Sequence, residues 1–174
     1  MSYTGEIPDD STDPLDPALA DISPRSVAYF FDELRQIPRG SGNERQAMNF
    51  LHEWATEHGF ECANDKVGNL CIKVPASKGC EGKPTVCLQG HIDMVCVKGS
   101  DVVHDFTKDP IKLRREGKLL KAQGTSLGAD DGFGVAAALS VACDPTAIHP
   151  PMEILITVDE EDGLSGAKGL DPAA

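Results

Sequence analysis

Apolar positions along the chain fall into two alternating rhythms. Val27, Phe30, Phe31 and Leu34 recur at i, i+3, i+4 and i+7, which predicts one buried face of a helix. Ser23 offers an N-cap with Pro24 at the first helical position, and Pro38 ends the run. A second helix starts at Ser41-Gly-Asn-Glu44, the spacing of a capping box. It buries Ala47, Leu51, Trp54, Ala55 and His58, and Gly59 terminates it. Strands follow at residues 60–63 and 70–74, turned at Gly68-Asn69. The run TVCLQ at 85–89 reads as a strand buried on both faces. Residues 111–114 and 118–122 form a hairpin around Glu116-Gly117, and the Ala-rich stretch 129–142 is helical. MEILITV at 152–158 is the most apolar run and predicts a central strand. Helices alternating with buried strands give an α/β fold, a mixed sheet flanked by helices.

Before Ser23 the pattern stops. Residues 1–22 are acidic, carry Pro8, Pro14 and Pro17, and read as a flexible tail. Residues 23–174 read as one folded unit. The 16 basic and 28 acidic side chains leave a formal charge of −12, which disfavours nucleic-acid phosphates and anionic membranes as partners. No apolar run reaches the roughly 18–20 residues of a membrane span, and the start MSYTGEIPDD lacks the parts of a signal peptide. The expectation is a cytoplasmic protein. Its six cysteines contain no C-x-x-C pair and read as reduced structural thiols, with Cys71 and Cys87 inside apolar runs.

Chemistry concentrates at three points. TVCLQG leads into His91-Ile92-Asp93. SLG leads into Ala129-Asp130-Asp131-Gly132 at a helix start. MEILITV leads into Asp159-Glu160-Glu161-Asp162. Two of these follow buried strands, at the edge where open α/β sheets bind ligands. Each alone has a plain reading as a surface pair, a dipole-favoured helix start or a solvated loop. Together, an imidazole and several carboxylates at one edge point to a divalent cation: zinc, with cobalt and manganese as alternatives. Asp93 then accepts from the far ring N–H of His91. Asp130, on a stiff helix start, places one oxygen on each of two ions. Glu160 and Glu161 point to opposite sides of a strand, one toward metal and one toward a metal-bound water as general base. The G-A-D-D-G-F-G loop does not suit a phosphate, and Asp130 opens no EF-hand spacing.

The segments FFDELRQIPRGSGNE, KVGNL, LQGHIDMVCVK, HDFTKDPI, LGADDGFGVAAAL and HPPMEILITVDEEDGLSGA together resemble the aminoacyl-histidine (Xaa-His, cytosolic non-specific) dipeptidases, within the co-catalytic zinc exopeptidases. The resemblance runs from about Ser23 onward. It implies the N-terminal part of a zinc-exopeptidase catalytic domain that hydrolyses dipeptides at a two-zinc site. By motif, His91 binds one ion, Asp130 bridges both and Glu161 binds the other. Asp93 supports His91, and Glu160 is the general base. Asp131 stands where this branch commonly has asparagine. The resemblance also implies a homodimer for the full-length protein, a lid domain, and two further ligands, an aspartate and a late histidine, that this chain lacks. Three shared residues leave each ion about two protein ligands, below the usual three. The expectation is therefore an N-terminal fragment, inactive alone. The alternative is a non-catalytic binding or assembly module that keeps half of the metal site.

Overall fold

The computed structural model describes residues 14–171. Helix α1 (Arg25–Gln36) realises the first apolar stripe, with Phe30, Phe31 and Leu34 fully buried. It stops at Ile37, held extended at φ −98° and ψ 123° as a residue before proline must be. Its cap differs from expectation: Pro24 is the N-cap residue, and Ser23, joined to it by a cis peptide bond, makes no side-chain cap. Helix α2 (Arg45–Glu57) buries Ala47, Met48, Leu51, Trp54 and Ala55, while His58 is the half-buried C-cap. Gly59 then turns the chain at φ +72°, a conformation that favours glycine.

Strands β1 (Glu61–Asn64), β2 (Leu70–Val74), β3 (Val86–His91) and β6 (Met152–Thr157) form one sheet in the order β1-β2-β6-β3. β2 is antiparallel to β1 and β6, and β3 runs parallel to β6, so the sheet is mixed and the MEILITV strand is central. Leu70, Ile72, Ile154 and Ile156 turn one face into the core shared with the helices. The opposite face carries Cys71, Lys73, Glu153 and Leu155, none fully buried. The reading of 85–89 as a strand buried on both faces is therefore corrected. β3 ends the strand order and is an edge strand, and with helices on only one face among the described residues, Val86 is 43% exposed and Cys87 is exposed. β4 (Leu113–Glu116) and β5 (Leu119–Ala122) form the expected hairpin as a separate ribbon. Helix α3 (Ala129–Cys143) packs on α1 and β3, and a short helix α4 (Ser165–Lys168) follows β6. Among the described residues, no helix is long and apolar enough to cross a membrane.

The expected flexible tail also needs correction over 14–22; residues 1–13 lie outside the described residues. A 3-10 helix at Pro17–Leu19 is capped by the Asp16 carboxylate, which accepts from the Ala18 N–H at 2.9 Å. Leu19 is fully buried, and Asp16 pairs with Arg35 at 3.3 Å. Short-range polarity hid this because a few apolar residues, Leu19 foremost with Ala18 beside it, carry the packing from within an acidic, proline-containing stretch. All six cysteines are free. Cys143 is buried, and burial pushes its thiol up to about 12.

Two outcomes follow. Leu19→Ala lowers the unfolding free energy in urea by about 2–5 kcal/mol; an unchanged midpoint means that the segment is a tail after all. At about pH 8, alkylation reaches the exposed Cys87 and Cys96 while Cys143 stays protonated and unmodified until denaturant is added. Peptide mapping by mass spectrometry reads the difference.

Candidate metal centre

Because β3 and β6 are parallel, their C-terminal ends reach the same sheet edge, and the start of α3 arrives there too. His91 is the last residue of β3 and 8% exposed. Its Nδ1 lies 3.2 Å from the Asp93 backbone oxygen and 3.4 Å from Asp93 Oδ1. Its Nε2 lies 3.1 Å from Asp130 Oδ1 and 3.9 Å from Glu160 Oε2. Donor atoms of His91, Glu160 and Glu161 fall within 4.8 Å of one another. All five residues singled out in the sequence thus meet at one edge. With Nδ1 engaged by Asp93, Nε2 is the ring nitrogen that faces the Asp130 and Glu160 carboxylates.

Asp93 is fully buried. Its Oδ2 accepts from Ser41 Oγ at 2.7 Å and from the Glu161 N–H at 3.1 Å, and its Oδ1 accepts from the Glu160 N–H at 2.9 Å. Burial pushes its pKa up, but these donors and His91 outweigh it and hold the carboxyl below the usual carboxylate range. For His91 burial pulls the pKa down, and the bond to Asp130 with the surrounding acidic charges overrides it, leaving the ring above its ordinary value.

Two local expectations are corrected. Glu160 and Glu161 do not alternate along a strand, since β6 ends at Thr157 and Asp159 reverses the chain at φ 51°. Both side chains instead turn toward His91. Asp130 is not on a stiff helical turn: Asp130 and Asp131 have non-helical backbone angles and are joined by a cis peptide bond. The Asp130 side chain is 86% exposed beside His91 Nε2. Asp131 folds inward, where burial raises its pKa while His91 and the His91 and Gly134 N–H groups pull the other way. A side chain at Gly90 would collide with the Asp131 carboxylate, so glycine there lets α3 dock on β3.

Three supporting residues escaped the sequence reading. Arg39 is 1% exposed, and its guanidinium donates to Ile92 O at 2.8 Å and to Gly128 O at 2.6 Å, tying two of the three segments together. Ser41 serves Asp93 rather than a helix end. Asn69 is buried and grips both ends of the Glu160–Glu161 loop. Its Nδ2 donates to Gly166 O at 2.9 Å, and its Oδ1 accepts from the Val158 N–H at 3.1 Å. No short-range pattern marks such contacts, although all three lie in the quoted PRGSGNE and KVGNL strings.

The chain matches no family model. It is 45% identical over 152 residues to the cytosol non-specific dipeptidase of Escherichia coli, covering 87% of this chain and 31% of that protein. The crystal structure of aminoacylhistidine dipeptidase from Vibrio alginolyticus superposes with a TM-score of 0.86 at 44% identity, covering 88% of this chain and 31% of the other. A tripeptidase from Staphylococcus aureus superposes with a TM-score of 0.70 at 26% identity, covering 86% and 40%. The chain thus spans about a third of the length of the dipeptidases it matches. In sequence and fold alike, the chain is similar to the aminoacyl-histidine dipeptidases over most of its own length.

Proposed function

We propose that the cluster at the sheet edge is part of a two-zinc centre that hydrolyses short peptides in the cytosol, dipeptides with a free N-terminus and Xaa-His dipeptides among them. The observation that carries this reading is the convergence of His91, Glu160 and Glu161 donor atoms within 4.8 Å, with the second ring nitrogen of His91 already held by Asp93. One imidazole nitrogen with several carboxylate oxygens is a donor set that suits zinc, and also cobalt or manganese. His91 would hold one ion, Glu161 the other, and Asp130 would bridge them. When bound, the ions supply Lewis acidity, lowering the pKa of a coordinated water and polarising the peptide carbonyl.

The chain's own groups do the rest. Asp93 fixes the tautomer and tilt of His91. Glu160, partly exposed beside His91, takes a proton from the attacking water and returns it to the leaving amine. Three ligand residues among two ions leave each about two, so this reading needs donors beyond the described residues, and the chain by itself is inactive. The similarity to dipeptidases supports the substrate class.

Calorimetric titration with Zn2+ tests the ligand set: His91→Ala binds at least about tenfold more weakly than the unsubstituted chain. Equal binding would sink the reading. In a protein extended to the length of its relatives, Glu160→Gln lowers kcat for a dipeptide by about 10²–10⁴ with zinc content unchanged.

A further inference from the structure

Glu44 has no role in the ligand set proposed above, yet it is only 8% exposed and its carboxylate is aimed at the same loop. The Ser41-x-x-Glu44 spacing predicts reciprocal capping of α2. The structure uses both side chains otherwise. No side-chain bond caps α2, Ser41 goes to Asp93, and Glu44 Oε1 accepts from the Gly42 N–H at 2.9 Å and the Asp159 N–H at 3.1 Å.

Asp159 is the point where the chain leaves β6 and reverses. Its φ of 51° lies in the left-handed region, costly for most non-glycine residues. The next two N–H groups, of Glu160 and Glu161, are taken by Asp93. Three successive N–H groups are therefore received by two buried carboxylates from behind, and the side chains of Glu160 and Glu161 project from the other side toward His91. Such a run of backbone donors is a natural anion seat. Oxygens of Glu44, Asp93 and Asp159 lie within 4.8 Å of one another. Like charges that close are tolerable because Glu44 and Asp93 turn oxygens onto these N–H groups and the Ser41 hydroxyl.

We propose that Glu44 is a positioning residue of the centre, acting through the Asp159 N–H to fix where Glu160 and Glu161 leave the backbone. This rests on the reading of His91, Glu160 and Glu161 as metal-centre residues. A displacement of about 1 Å at a catalytic group can cost about 10²-fold in rate. Glu44 differs from a simple helix-start residue in one respect: its service requires an acceptor oxygen at a set reach, not a charge and not helix propensity.

The test compares Glu44→Gln, Glu44→Ala and Glu44→Asp in the 174-residue chain by amide hydrogen exchange at Asp159–Glu161 and by Zn2+ titration. Glutamine keeps the acceptor at full reach and stays within about threefold of the parent in both measurements. Alanine removes the acceptor. Exchange at the Asp159 amide becomes about 10–100-fold faster, and zinc affinity falls about 10–100-fold. Aspartate keeps the charge one methylene short and behaves as alanine does, which covers the case that E44A does not fold. Parental values in E44A and E44D, or E44Q failing as badly as they do, overturn the proposal. If no protein binds zinc while exchange at Asp159 responds as stated, the metal reading falls and the positioning of the loop by Glu44 stands.

Discussion

A fully buried carboxylate must have its oxygens filled, and the edge of this sheet is organised around meeting that demand for Asp93. Ionised carboxyl groups lose their hydration on burial and keep their charge only when donors replace it. Asp93 takes a hydroxyl from the loop between α1 and α2, two N–H groups from the loop after β6, and a neighbouring ring from the end of β3. One side chain therefore joins three stretches that are far apart in sequence. The same bonds that keep it ionised also orient His91. Stability and site geometry are set by one contact set, so substitution at Asp93 leaves buried donors orphaned as well as freeing the ring.

Arg39 is the positive counterpart. Burial lowers its pKa to about 10, against the opposing pull of Asp93, Cys96 and Asp131. Its planar fork spans the Ile92 and Gly128 carbonyls, a task that the point charge of a lysine does not reproduce. The packing leaves no room for change. A Cβ at Gly128 or Gly132 would strike the guanidinium, and Gly128 also has φ +69°, which favours glycine. Asn69 completes the frame on the far side of the acidic loop. Rigid elements thus deliver the three segments, and buried side chains of opposite character lock them together.

Much of this was legible in the sequence, for identifiable reasons. Phe30, Phe31 and Leu34 show a helical period because they pack against one surface, and MEILITV is apolar because it lies in the middle of the sheet. The five candidate residues stood out because each adjoins an apolar run or helix start, and parallel pairing of β3 and β6 brings such ends together. What failed were readings that depend on distant partners. TVCLQ cannot report whether a second layer covers it, and nothing local distinguishes an edge strand from a central one. Ser41 and Glu44 satisfy a helix-cap rule by spacing, yet Asp93 and the Asp159 N–H compete for their side chains and win. Ala18 and Leu19 lie in an acidic, proline-containing stretch whose composition says nothing about their burial.

That competition also sorts the acidic residues, which the sequence presents as alike. Glu44 and Asp93 are buried and accept backbone N–H groups, Glu44 through Oε1 and Asp93 through both oxygens, so they hold shape without an ion. Asp130 and Glu160, with side chains 86% and 35% exposed, instead face the Nε2 of His91. Carboxylates gathered there repel one another, and water screens them only in part. A bound cation would act directly on this second group and on the first only through the loop that carries Glu160 and Glu161. The two groups differ in role: the buried carboxylates hold the loop in place, and the side chains it presents gather negative charge that a cation would relieve. Part of the −12 formal charge is thus a property of the site rather than of the surface at large.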